Sequence, residues 1–272
     1  MGLLSKLLGL TGCAFVALSV GGQAQAATCG NSAGGYEAWK SEFSREAAAQ
    51  GVGQRGLAAL ANTSYATKTI SADRNQHSFK LNLQQFMEKR GSATIVSRGK
   101  KQKASKAALF NAIEQRYGVP AGPLIAIWGM ETAFGKFLGN QNTLSAVATL
   151  AYDCRRSEFF TDQLYSALQL VDRGVLTSSA QGAAHGEIGQ TQFLPKNVLK
   201  YGVDGDGDGR IDMVNSTPDA LASTANFLKG HGWRAGAGYQ KGEPNYAAIE
   251  GWNAAGVYQQ AIALMGADID GR

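Results

Sequence analysis

The sequence predicts a mainly α protein. Apolar residues recur at helical spacing, glycine and proline fall at the ends of the periodic segments, and strand-like alternation is scarce. Of 272 residues, 35 are Gly and only 5 are Pro, which suits helices joined by Gly-rich loops rather than a Pro-rich linker protein. With 44% hydrophobic and 17% charged residues, the chain can bury a core of its own.

The first 26 residues read as an export signal. Lys6 is the positive n-region, residues 7–20 are the apolar core, and Ala24-Gln25-Ala26 is a small-x-small cleavage site. Leu10-Thr11-Gly12-Cys13 resembles a lipobox, so lipid anchoring through Cys13 is the alternative, although Cys13 sits inside the apolar run instead of after it. No membrane span is expected beyond it, with mean hydropathy −0.18. Cleavage would leave Cys29 and Cys154, an even pair that suggests one disulfide in an oxidising compartment. Two buried free thiols are the other reading.

Helices are expected in order along the rest. One spans 36–50, stopped by Gly51, and another 73–89, capped by Ser71 or Asp73 and ended before Gly91. A third spans 104–117, closed by Gly118 with Pro120 just beyond. Pro123 opens a short apolar helix to Phe134. Segments 144–152 and 157–173 follow, the latter with Phe160, Leu164, Ala167, Leu168 and Val171 on one face. Pro195 starts a helix that Gly202 ends, and Ser216-Thr217-Pro218 caps the next, with Leu221, Ala225 and Leu228 inward. The last spans 255–265.

Two patterns carry chemistry. Leu124, Ile127, Trp128 and Glu131 stand at i, i+3, i+4 and i+7, so a carboxylate projects from an apolar helix face. Apolar surroundings raise a carboxyl pKa, as a general acid near neutrality requires. On spacing alone, a helix-end glutamate escaping to solvent is the simpler reading. The second pattern is an EF-hand-like loop over 204–215, with Asp204, Asp206 and Asp208 at positions 1, 3 and 5 and Gly209 at 6. Arg210 offers a carbonyl at position 7, Asp212 an acid at 9, and Asn215 stands at 12, where a bidentate acid is usual. A structural calcium is expected, against a loop held only by Asp side chains on backbone amides.

Several blocks resemble, in order, the B-type lytic murein transglycosylases. Tyr117-Gly118-Val119-Pro120 and Ile127-Trp128-Gly129-Met130-Glu131-Thr132-Ala133-Phe134-Gly135 are similar to that family's catalytic signature. Ala148-Thr149-Leu150-Ala151-Tyr152, Arg155-Arg156 and Phe159-Phe160 are similar to the next block. The run from Gly186 to Pro195 resembles Gly-Ala-Met-Gly-x-x-Gln-Phe-Met-Pro. The aspartate loop, the stretch from Ala225 to Trp233, Trp252-Asn253 and Tyr258 complete the likeness.

The resemblance implies a lysozyme-like helical catalytic domain over 30–266, with additional N-terminal helices. It implies cleavage of the β-1,4 bond between N-acetylmuramic acid and N-acetylglucosamine in peptidoglycan strands, giving 1,6-anhydromuramoyl ends. Glu131 would be the single acid and base, with no cofactor required for catalysis. Gln192 and Asn253 are implied to position substrate, with loop-capping as the alternative use of such amides. Phe227 and Trp252 are candidates for lining the groove, against a core role. Trp252 stands where the family usually has Tyr, and Glu187 and Ile188 replace Ala and Met. Glu187 is expected to be a solvent-facing loop residue, with a second carboxylate near the site as the alternative.

A monomeric periplasmic enzyme is the expected setting. The net charge of +5 falls to +4 (5 − 1) once Lys6 leaves, which suits an anionic wall polymer and equally suits plain solubility. Basic residues are scattered apart from Lys100, Lys101, Lys103 and Lys106, so no nucleic-acid partner is expected. A hydrolytic muramidase and a non-catalytic peptidoglycan-binding module are the rival functions.

Overall fold

Trp39, Phe43 and Ala47 recur every four residues along α1 (Tyr36–Ala49), and all three are buried. A computed structural model describes residues 27–75 and 81–272; the expected signal segment and Cys13 lie outside the described residues. Helix α2 (Gln54–Ala61) follows α1, and no side chain of its own caps it. Its first amides are satisfied from far along the chain. Asp172 accepts from the Gly53 N–H at 2.7 Å and the Gly56 N–H at 2.8 Å, meeting the orphan donors of a helix start.

The single helix expected over 73–89 is two helices. Helix α3 (Thr67–Arg74) ends at Arg74, and α4 (Leu83–Arg90) begins after a capping box made by Asn82 and Gln85. Neither Ser71 nor Asp73 caps a helix here. Asp73 is a buried acid in the last turn of α3, paired with Arg155 and Arg156. Gly91, at φ 68°, ends α4 as expected. Helix α5 (Ser92–Ser105) was not expected, because it buries only Ile95 and Gly99 and so shows no apolar stripe. Helix α6 (Ala107–Tyr117) closes at Gly118, φ 74°.

Helix α7 (Ala121–Thr132) is the centre of the molecule. Eleven of its residues are buried, and only Glu131 is partly exposed. It is therefore a fully enclosed helix rather than an amphipathic one with an apolar stripe, as its even hydrophobicity allows. Helix α13 (Gly256–Asp270) packs along it so closely that a Cβ on Gly122 would lie 2.2 Å from the Gly266 carbonyl. Asp270 accepts from the Gly122 N–H at 2.9 Å and pairs with Lys103 at 2.8 Å, closing the start of α7. This is why α13 continues five residues past the expected end at Met265: its last turn is a cap for another helix.

Helices α8 (Thr143–Tyr152) and α9 (Ser157–Asp172) pack together and against α2. The short helices α10 (Pro195–Tyr201) and α12 (Tyr246–Trp252) flank α11 (Thr217–Gly230), whose start is capped by Ser216 as expected. Among the described residues the one sheet is a two-residue antiparallel pair, β1 (Gln141–Asn142) with β2 (Gln181–Gly182). Cys29 and Cys154 form a disulfide, with their Cα atoms 5.0 Å apart. No helix among the described residues is long and apolar enough to cross a membrane.

Candidate active site

Helix α7 ends abruptly one residue past Glu131. Ala133, Phe134 and Gly135 take φ values of 50°, 65° and 78° in succession, a conformation costly for non-glycine residues and concentrated at functional sites. The reversal folds Phe134 back onto Trp128, ring centroids 5.3 Å apart. Thr132 Oγ1 donates to the Gln190 carbonyl at 2.6 Å and accepts from the Gly135 N–H at 2.9 Å. Trp128 Nε1 donates to Gln190 Oε1 at 3.0 Å. Gln190 thus ties the helix end to the 186–194 loop and leaves Glu131 fixed at the wall of a cleft.

That cleft has a volume of about 330 Å³, and Glu131, Gln192, Phe227, Trp252 and Asn253 all line it. Tyr258, in the first turn of α13, donates its hydroxyl to Glu131 Oε1 at 2.7 Å, and Trp252 Nε1 donates to the same oxygen at 3.3 Å. Arg90 stacks its guanidinium over the Tyr258 ring at 5.5 Å. Burial pushes the Glu131 carboxyl above the usual carboxylate range. The hydrogen bonds from Tyr258 and Trp252 and the charge of Arg90 pull it down without cancelling burial, and Glu187 pushes it further up. Burial and the Glu131 charge hold the Tyr258 hydroxyl well above its ordinary value, so it remains a donor.

The other residues singled out from the sequence have mixed duties. Gln192 sits at φ 57° and spends its amide nitrogen on the Gly189 carbonyl at 2.8 Å. Asn253 Oδ1 accepts from the Ala255 N–H at 2.9 Å, the turn-capping use of an amide. Phe227 is only 4% exposed and stacks on His231 at 3.9 Å, so it serves chiefly as packing behind the cleft. Glu187 is not solvent-facing as expected. It lines the cleft, with its side chain 24% exposed. Sequence reasoning missed Tyr258 and Arg90 as site residues, since both reach Glu131 only through the packing of α13 and α4.

In the aspartate loop, the carboxylates that converge among the described residues are Asp204, Asp206 and Asp219, with ligand atoms within 4.8 Å of one another. Asp219 lies outside the expected span of 204–215; it is buried in the first turn of α11 and accepts from the Gly205 N–H at 2.8 Å and the Asp212 N–H at 2.7 Å. Asp208 accepts from the Arg210 N–H at 2.8 Å. Asp212 accepts from the Val214 and Asn215 amides and from Asn215 Nδ2. These residues brace the turn instead of joining the converging group.

The transglycosylase SLT domain family matches residues 35–242. The chain is 37% identical over 129 residues to membrane-bound lytic murein transglycosylase B of Escherichia coli (strain K12), a stretch that is 47% of this chain and 36% of that protein. It thus spans about a third of that relative's length. SltB3 from Pseudomonas aeruginosa, solved in complex with NAG-anhNAM-pentapeptide, superposes with a TM-score of 0.80 at 29% identity, over 87% of this chain and 80% of that one. Slt35 from Escherichia coli, solved in complex with calcium, gives 0.74 at 22% identity over 85% and 92%. With more than half of its length matched, the chain belongs to the transglycosylase SLT domain family.

Proposed function

We propose that the protein is a lytic transglycosylase that cleaves the β-1,4 bond between N-acetylmuramic acid and N-acetylglucosamine in peptidoglycan, with Glu131 as its acid and base. One observation carries this reading: α7 is enclosed along its length, and the only side chain it lends to the cleft is a carboxyl whose protonated form burial favours. The SltB3 complexes with NAG-anhNAM-pentapeptide and NAG-NAM-pentapeptide support the substrate class. Protonated Glu131 donates to the glycosidic oxygen as the bond from C1 breaks. The carboxylate left behind is held by the Tyr258 hydroxyl and Trp252 Nε1, then takes the proton of the muramoyl C6 hydroxyl as that oxygen closes on C1. No water is consumed. Gln192 and Asn253 line the cleft within reach of a bound strand.

Digestion of peptidoglycan followed by mass spectrometry tests this. The expected products carry muramoyl ends lighter by one water than reducing ends, and Glu131→Gln lowers their rate by roughly 10²–10⁴-fold. Full activity in that variant would refute the assignment.

An exported, periplasmic setting is supported by the Cys29–Cys154 disulfide, since such bonds persist in oxidising compartments. Asp204 and Asp206 of the loop over 204–215, with Asp219 of α11, offer hard carboxylate oxygens at a spacing that fits calcium. The cation, when bound, would join the loop to the start of α11, and no step of the reaction passes through it.

A further inference from the structure

Glu187 shares the cleft with Glu131. One neighbour holds it at two points: the His185 N–H donates to Oε2 at 2.9 Å, and His185 Nδ1 lies 3.2 Å from Oε1. Buried Asp73 lies beyond the ring, its Oδ1 3.7 Å from His185 Nε2. Asp73 also pairs with Arg155 and Arg156, and Arg156 reaches the cleft wall. The chain of contacts from α3 through the 153–157 turn to the 183–187 loop gives Glu187 a fixed orientation, not the freedom of a surface glutamate.

The two carboxyls differ in environment. Burial alone would raise the Glu187 carboxyl, but the hydrogen bonds and charge of His185, with the local backbone amides, hold it below the usual carboxylate range. Glu131 is held above that range. One cleft therefore holds two carboxyls shifted in opposite directions, the division by which glycosidases assign acid and base.

We propose that Glu187 is a second catalytic carboxylate that activates a water, giving the enzyme a hydrolytic route beside the transglycosylase route. This rests on the reading of Glu131 as the acid. In the hydrolytic route Glu131 donates its proton to the leaving glycosidic oxygen as the bond from C1 breaks. The water oxygen bonds to C1 of the muramoyl unit, and its proton passes to Glu187. The product is a reducing muramic acid end, heavier by one water than the anhydro end. Water and the C6 hydroxyl compete for the same carbon, so the ratio of the two ends reports how well Glu187 holds its water.

The test uses the whole protein on peptidoglycan whose existing reducing ends have been removed with borohydride, so that every reducing end detected is new. Mass spectrometry then counts reducing and anhydro ends in one digest. The wild type is expected to yield both, and Glu187→Gln to lower the ratio of reducing to anhydro ends by about tenfold or more. Glu187→Asp should restore part of it. Thermal melting of each variant checks that the fold is kept, and the ratio is internal to each digest, so a general loss of rate leaves it unmoved. Anhydro ends alone from the wild type, or an unchanged ratio in Glu187→Gln, overturn the hydrolytic route and leave the Glu131 reading standing. Absence of both kinds of end sinks the Glu131 reading and this one with it.

Discussion

Tyr258 decides how far burial can push Glu131. Its hydroxyl bond to Oε1 favours the carboxylate, opposing the desolvation that favours the acid. Removing it in Tyr258→Phe should raise the Glu131 carboxyl further, so the acid form survives to higher pH and the alkaline limb of the kcat/KM profile moves upward. The carboxylate formed after proton donation also loses a charge-assisted hydrogen bond worth about 1.5–3 kcal/mol, a fall of roughly 10- to 100-fold in kcat. An alkaline limb that stays in place, or moves down, would show that Tyr258 does not govern Glu131. Much of the site was legible at this scale because its residues lie in short contiguous stretches: Glu131 behind Trp128-Gly129-Met130, Gln192 before Phe193, Trp252 beside Asn253. Tyr258, Arg90 and the inward placement of Glu187 were not legible. Each depends on which remote helix or loop arrives beside Glu131, and no local pattern encodes that arrival.

Element boundaries were legible where a helix carries its own stop and start signals, as at Gly91, Gly118, Pro195 and Ser216. They were hidden where the signal comes from elsewhere in the chain. Helix α2 is started by Asp172, and α13 is prolonged to bring Asp270 to α7. Helix α5 was hidden because a helix that buries two residues has no periodic stripe. The aspartate loop shows the same limit, since its pattern was read over 204–215 while the converging partner is Asp219, four residues beyond. Three carboxylates this close repel one another, and a divalent cation removes that repulsion. Calcium at ~100 times its Kd should stabilise the fold by about 2.7 kcal/mol, raising Tm by roughly 5–10 °C for a chain of this size. A chelator should reverse the rise, and Asp219→Asn should abolish the calcium-dependent part. A Tm indifferent to calcium would leave the loop as a turn braced by Asp side chains.

At the scale of the whole molecule, the disulfide closes a long covalent loop, joining residues 125 apart. It is reinforced by main-chain pairing: the Gly30 N–H donates to the Tyr152 carbonyl at 2.9 Å, and the Cys154 N–H to the Gly30 carbonyl at 3.3 Å. A Cβ at Gly30 would lie 2.1 Å from the Tyr152 hydroxyl, so the approach requires glycine. Closing a loop of this length is worth at most ~4–5 kcal/mol on the chain-entropy model. Replacing both cysteines by serine should therefore lower Tm by up to about 10–15 °C. The main-chain bonds around Gly30 remain, and Glu131 is held by α7, with Trp252 of α12 and Tyr258 of α13 bonded to it. Below the lowered Tm, the double variant should keep its ratio of anhydro to reducing ends. If that ratio changes while the protein is folded, the disulfide reaches the cleft through its neighbours Arg155 and Arg156, and the bond would be part of the site's positioning as well as of its stability.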